Sequence, residues 1–168
     1  SRFYLWMIKV KKNFLDKKDC LNLQQIIMHS SNMPFYFQDT VAYKAEESNK
    51  NNFYLTHNAY YNQKPNSDFF YLFKPLLTKL DVKSLIRLKV NLYPRTDKIY
   101  HHPPHIDYKF KHKGCIYSLN SCDGGTKIGN KVYESVENQA LLFDPSISHN
   151  STTCTNTHAR FNININYF

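Results

Sequence analysis

Glycine is scarce in this sequence, four residues in 168, and no glycine-rich linker, internal repeat or low-complexity segment divides it. Cysteine occurs four times, as Cys20, Cys115, Cys122 and Cys154, but no two of them form a Cys-x-x-Cys pair. That spacing excludes a zinc ribbon and a small disulfide scaffold, and leaves the thiols to be read as small buried hydrophobes. Arginine is confined to Arg2, Arg87, Arg95 and Arg160, the other basic residues being lysine. No apolar run is long: the aromatic and β-branched stretch over 3–10 is too short to cross a bilayer or to form the apolar core of a secretory signal. A cytoplasmic protein without membrane association is therefore expected, and the sequon Asn150-Ser151-Thr152 reads as accidental.

What is present suits a globular enzyme or binding domain. Hydrophobic residues make up 42% and charged residues 21%, and the length allows one domain with a real core. The expected organisation is a single domain over 1–168, in which 1–83 supplies helical and strand support and 84–168 carries the core strands. The formal charge of +9 leaves an acidic partner open, nucleic acid included. The lysines are nevertheless spread along the chain. Together with abundant Asn, Ile, Tyr and Phe they look like an AT-rich coding bias, so a solvated surface is the favoured reading.

The first half reads as scaffold. A strand is expected over 3–10. Asp16 stands as an N-cap and Asp19 in the first turn of a helix whose apolar stripe is Leu21, Leu23, Ile26, Ile27 and Met28. Strands follow from Pro34 towards Tyr43 and over 53–61, with a polar loop over 46–52 between them. A second helix falls within 68–80, and Pro75 suits its first turn if it starts near Lys74. His29 and His57 stand alone, and a lone histidine is more often a surface or satisfied core residue than a ligand.

The second half alternates. Over 84–93, Ile86, Leu88, Val90 and Leu92 share one face, while Arg87, Lys89, Asn91 and Tyr93 share the other. Strands are expected around His105 and Asp107 (100–108) and over 114–120, 126–128, 139–143, 147–153 and 160–168. Asp123-Gly124-Gly125 reads as a tight turn and 131–137 as a connection. In the last strand Arg160, Asn162, Asn164 and Asn166 oppose Phe161, Ile163, Ile165 and Tyr167. A polar face headed by an arginine suits the mouth of a barrel that binds a small polar ligand. Short strands at regular spacing, with turn signals between them, make the fold class mainly β with supporting helices, an antiparallel sandwich or jelly roll.

The chemistry concentrates in His105-Ile106-Asp107, His149 and Arg160. His105 and Asp107 are two apart, so in a strand they share a face. With His149 they form the two-histidine, one-carboxylate set that holds Fe(II) on one side and leaves positions open. Arg160, eleven residues after His149, supplies a counter-charge for an acidic co-substrate. A turn near Thr155-Asn156-Thr157 can absorb that long interval.

This constellation resembles the 2-oxoglutarate and Fe(II)-dependent oxygenases, most of all the prolyl-hydroxylase-like branch with its small single-domain bacterial and bacteriophage members. Asn91-Leu92-Tyr93-Pro94 resembles the Tyr-Pro segment upstream of the metal motif, and Cys115 to Asn120 with Gly124-Gly125 resembles the next strand and its glycine turn. The resemblance covers about residues 85–168. It implies a double-stranded β-helix core, and Fe(II), 2-oxoglutarate and O2 as cofactors, with ascorbate as a candidate reductant. It implies His105, Asp107 and His149 as metal ligands and Arg160 as partner of the distal carboxylate of 2-oxoglutarate. Tyr93, Ile116, Asn91 and Asn162 would stand around the co-substrate. Ser118 departs from the pattern, since a second tyrosine is common there; its hydroxyl has a shorter reach.

The implied reaction is hydroxylation of a protein or peptide side chain, proline leading, with decarboxylation of 2-oxoglutarate to succinate and CO2. Two alternatives stay open: the same chemistry on a nucleobase, and a non-catalytic jelly-roll binding domain. His101-His102-Pro103-Pro104 reads as the rim of the mouth, and His112 and His158 as exposed histidines. Specificity is expected in loops over 46–52, 95–104 and 131–137.

Overall fold

A computed structural model of the chain describes residues 8–42 and 50–168. Its longest strands fall where the alternation is cleanest. β5 (Leu85–Pro94) and β11 (Ala159–Tyr167) are antiparallel neighbours in the middle of the larger sheet. Around them stand β1 (Lys9–Lys11), β2 (Tyr36–Gln38), β3 (Tyr54–Tyr61), β4 (Lys64–Pro65), β6 (Lys113–Ser118) and β9 (Gln139–Phe143). The order is β1-β9-β6-β11-β5-β3-β2, with β4 paired to β3. A smaller sheet has the order β10-β7-β8, from β7 (Gly125–Ile128), β8 (Lys131–Glu134) and β10 (His149–Ser151). Two antiparallel sheets with supporting helices make the double-stranded β-helix, or jelly-roll, core that was expected.

The helices cover one face of the larger sheet. α1 (Lys17–Gln24) runs into a single π turn, Gln25–His29, and buries Cys20, Leu23 and Ile27. Asp16 occupies the N-cap position without a side-chain cap bond. Leu21, expected in the apolar stripe, is exposed instead. α2 (Lys74–Lys79) follows a 3-10 turn, Phe70–Phe73, and carries Pro75 in its first turn, where the missing N–H costs nothing. Phe73 and Leu76 meet Leu88, Val90, Cys115, Tyr117, Ile163 and Ile165 in the main core. All four cysteines are free and buried. Among the described residues no helix is long and apolar enough to cross a membrane.

Several expectations need correction. The stretch around the His-x-Asp motif is not a regular strand: it pairs with its neighbour through the isolated bridges His101–Thr152 and His105–His149. Residues 131–134 are a strand, paired to β7 through a hairpin at Gly129, whose φ of +60° suits glycine. Gly124 and Gly125 do not have positive φ. A Cβ at either would press on the backbone carbonyl of Thr153 or Tyr133, so glycine is there for close approach. Of the strand predicted over 3–10, residues 3–7 lie outside the described residues, as do position 43 of the strand starting at Pro34 and positions 46–49 of the polar loop. Where it is described, the strand after Pro34 is short, Tyr36–Gln38.

Candidate metal centre

The inner face of the larger sheet is built in rungs. Register places Tyr93 opposite Arg160, Asn91 opposite Asn162, Lys89 opposite Asn164 and Arg87 opposite Asn166. β6 extends three of them with Ser118, Ile116 and Gly114 in turn. The smaller sheet faces this ladder, and between them lies a cavity of about 650 Å³ walled by residues of both sheets, His105, Asp107 and His149 included.

Asp107 is fixed at the Arg87–Asn166 end. Its backbone N–H donates to Pro145 O at 2.9 Å, and Pro145 packs against β6 where Gly114 has no side chain to block it. The two carboxylate oxygens have separate duties. Oδ2 accepts from Asn166 Nδ2 at 2.8 Å and lies 3.1 Å from Arg87 Nη2. The arginine contact is an ion pair and not an aligned hydrogen bond, because Nη2 makes no bond of good geometry. Oδ1 faces His105 Nε2 at 3.5 Å and His149 Nε2 at 3.8 Å. Asn166 is fully satisfied: Oδ1 accepts from Arg87 Nε, and Nδ2 also meets His112 Nε2 at 3.0 Å. His112, expected to be exposed, is buried, and its Nδ1 bonds Phe110 O. That bond places the proton on Nδ1 and leaves Nε2 to accept.

The two candidate ligand histidines are oriented in the same way. His149 Nδ1 bonds Ile147 O at 2.9 Å and His105 Nδ1 reaches Pro103 O at 3.3 Å. Both donate from Nδ1, so in the neutral rings both Nε2 lone pairs turn to the same place, while a second proton on either would point at Asp107 Oδ1. Reciprocal backbone bonds between His105 and His149, each 2.9 Å, hold the pair together. The three ligand atoms all lie within 4.8 Å of one another. Cis ligands of an octahedral ion at about 2.1 Å stand about 3 Å apart, so a small contraction closes the set on a metal. Burial works against the Asp107 carboxylate, yet His105, Arg87, His149 and Asn166 together hold its pKa well below the usual range. For His149 burial dominates and lowers the pKa, keeping the ring neutral as a ligand must be.

Of the other predicted residues, Tyr93, Asn91, Ile116 and Asn162 line the cavity. Asn91 donates to Asn162 Oδ1 at 3.0 Å and accepts from Thr56 Oγ1 at 3.2 Å. Ser118 is buried on the Asn162 rung but does not reach the wall of the cavity. Arg160 is 1% exposed and stands behind the wall. It donates to Ser135 Oγ, Thr152 O and Thr126 Oγ1 at 2.7, 3.2 and 3.0 Å, and its guanidinium lies 5.3 Å from the Tyr93 ring centre. No carboxylate among the described residues pairs with it, and burial, the largest influence, lowers its pKa. The long His149–Arg160 interval is taken up at 154–158, where Asp123 binds the backbone and hydroxyl of Thr155.

Some neighbours of the site were not anticipated. Lys89 lines the cavity with its ammonium on Tyr54 Oη at 3.2 Å. Burial brings its pKa down to about 7, Arg87 adding to the drop and Asp107 opposing it. His102, expected at the rim, is 1% exposed and stacks on Tyr93 at 5.4 Å, with Nδ1 2.8 Å from Ser151 Oγ. The mouth is flanked by Gln38, Thr40, Val41 and Ala42; neither 95–104 nor 131–137 contributes to the cavity wall.

No family model and no curated protein matches this sequence. Solved structures do match its fold. A prolyl hydroxylase from Trichoplax adhaerens, in complex with a hypoxia-inducible-factor oxygen-degradation-domain peptide, superposes with a TM-score of 0.66 at 16% identity, over 96% of this chain and 83% of that one. An oxidoreductase of the 2OG-Fe(II) oxygenase family from Burkholderia pseudomallei gives 0.68 at 9% identity, over 97% and 85%. A viral collagen prolyl hydroxylase from Paramecium bursaria Chlorella virus 1, in its 2OG complex, gives 0.60 at 9% identity, over 95% and 94%. The chain has the fold of prolyl-hydroxylase-like 2-oxoglutarate/Fe(II) oxygenases.

Proposed function

We propose that this chain is a 2-oxoglutarate- and Fe(II)-dependent dioxygenase that hydroxylates a protein or peptide side chain, proline being a candidate target. The observation that carries this reading is the convergence of His105 Nε2, Asp107 Oδ1 and His149 Nε2 at the wall of a polar cavity. A donor set of two neutral imidazoles and one monodentate carboxylate suits Fe(II) with open positions on one side. When bound together, Fe(II), 2-oxoglutarate and O2 supply decarboxylation of the co-substrate to succinate and CO2, with one oxygen atom passing to a substrate C–H bond.

The protein's own part is to hold and orient. His105, Asp107 and His149 would hold the metal. Asn166 and Arg87 keep Asp107 Oδ2 occupied, so that only Oδ1 is offered to the ion. Arg160 would pair with the distal carboxylate of 2-oxoglutarate. Two of its five N–H groups remain after the bonds to Ser135, Thr152 and Thr126. Tyr93, between Arg160 and the cavity, would contact the co-substrate, and Ile116 would wall it off from water. Asn91 and Asn162 hold each other in place along its path.

The test is an anaerobic titration with Fe(II) and 2-oxoglutarate, read by the weak visible charge-transfer band of the complex and by succinate formation once oxygen is admitted. Wild type is expected to give both and His105→Ala neither. Absence of the band in the wild type would sink the proposal.

A further inference from the structure

Lys89 is the one charged group on the cavity wall that forms no ion pair with an opposite charge among the described residues. Arg87 has Asp107 at 3.1 Å. Among the described residues Lys89 has a phenol for a partner, Tyr54 Oη at 3.2 Å, and the face of that same ring at 5.3 Å. Directly across the ladder stands Asn164, 7% exposed, lining the cavity, with no hydrogen bond from its side-chain amide to any described residue. Every other asparagine of the ladder is bonded: Asn91 and Asn162 to each other, Asn166 to Asp107 and Arg87. Both groups open onto the cavity with hydrogen bonds to spare, so an entering anion can meet the ammonium and the amide N–H at once.

The position of this pair says which anion that is. The Lys89–Asn164 rung adjoins the Arg87–Asn166 rung that holds Asp107, about 7 Å along the strands, within reach of the metal set. The Lys89 ammonium rests on Tyr54 of β3, and Val41 and Ala42 line the same cavity. Charge points the same way. A divalent ion with a dianionic co-substrate and Asp107 still leaves the cations of Arg87, Lys89 and Arg160 in excess.

We propose that Lys89 and Asn164 form the recognition point for a carboxylate of the prime substrate, so that the side chain oxidised belongs to an acidic amino acid or acidic peptide segment. This rests on the oxygenase reading above and narrows it: the neutral proline ring alone leaves Lys89 without an ion-pair partner.

The probes are paired short peptides carrying Asp or Asn, and Glu or Gln, at one position. Binding to the metal-free protein is followed by calorimetry, with and without saturating 2-oxoglutarate. Oxidation by the Fe(II)-loaded enzyme is followed by mass spectrometry, as the gain of one oxygen atom. With 2-oxoglutarate present, at least one acidic peptide is expected to bind about tenfold or more tightly than its amide partner, as a charge-assisted hydrogen bond implies. Lys89→Met is expected to erase that preference, Lys89→Arg to keep part of it, and Asn164→Ala to reduce it. Acid and amide binding alike in the wild type, or a preference that survives Lys89→Met, overturns the proposal. So does a Lys89→Met variant whose KM for 2-oxoglutarate rises about tenfold, since Lys89 would then serve the co-substrate. Succinate formed without peptide reports on the oxygenase reading separately: if it is present while the acid preference is absent, only the present inference fails.

Discussion

The two faces of the larger sheet are both largely buried and oppositely made. Towards the helices, Leu88, Val90, Cys115, Tyr117, Ile163 and Ile165 are all 0% exposed and, with Leu23, Phe73 and Leu76, form an almost wholly apolar core. Towards the smaller sheet, Asn166, Arg160, Asn91 and Asn162 are 0 to 2% exposed and bear amides and a guanidinium. Apolar burial is favourable in any orientation that fills space. Polar burial is tolerated only where each donor meets an acceptor, and a buried group left unmet costs roughly 1–3 kcal/mol. The helix face can therefore secure the fold without positioning any particular atom. The inner face contributes little net stability, yet it fixes Asp107 Oδ2 through two partners and Arg160 through three.

That contrast separates the effects of mutations on the two faces. The largest expected effect is on the polar side: Asp107→Ala removes a proposed metal ligand and leaves the half-buried Arg87 beside no anion. Fe(II)-dependent succinate formation should fall below detection, and urea unfolding should show a loss of about 3 kcal/mol. On the apolar side, Phe73→Ala should cost about 3–5 kcal/mol of stability through the cavity it opens, while Fe(II) affinity of the folded protein stays within about twofold, a change of under 1 kcal/mol. If both variants lost stability and metal affinity together, the division of labour between the faces would be wrong. Asn166→Ala is intermediate. It touches no metal, but it frees Asp107 Oδ2 and His112 Nε2 together, and metal affinity should drop about 10- to 100-fold. Calorimetric titration with Mn(II) as a redox-stable surrogate measures this, and an unchanged affinity would show that Arg87 alone orients the carboxylate.

How much of this was legible in the sequence follows the same line. Alternation over 84–93 and 160–168 located β5 and β11 almost to the residue and sorted their faces correctly, because a period of two is a local property. The triad His105, Asp107 and His149 was legible from residue type and order. The Arg87–Asn166–His112 group was not: Arg87 and Asn166 are 79 positions apart, and their contact depends on the register between β5 and β11. His112 was read as an exposed histidine; its burial comes with its contact to Asn166, 54 positions away. Strand β8 was missed because Lys131–Glu134 owes its conformation to pairing with β7 and not to its own pattern.

The last prediction concerns the pH dependence of stability, and it tests whether Lys89 is a cation without an ion-pair partner. The groups around it are Arg87, which lowers its pKa, Asp107, which opposes that, and the neutral phenol of Tyr54, whose own pKa burial raises to about 12. In the folded protein Lys89 releases its proton near pH 7, whereas in the unfolded chain it holds it to about pH 10.4. Between those limits the unfolded state binds more protons, so this residue makes stability rise with pH. Below pH 7 the folded state bears the full cost of the buried ammonium. Other groups titrate as well. His102, held near 4 by burial first and then Arg160, acts in a lower window. The thiols of Cys20, Cys115 and Cys122, raised by burial, make stability fall above their unfolded pKa of about 8.5. All of these are shared by Lys89→Met and cancel in the difference. Urea midpoints of the metal-free proteins should therefore show the methionine variant gaining most on wild type near pH 6.5, with the gap narrowing steadily towards pH 10. A gap that stays constant across that range would mean that Lys89 keeps its ordinary affinity for the proton and that solvent already supplies what Tyr54 does not.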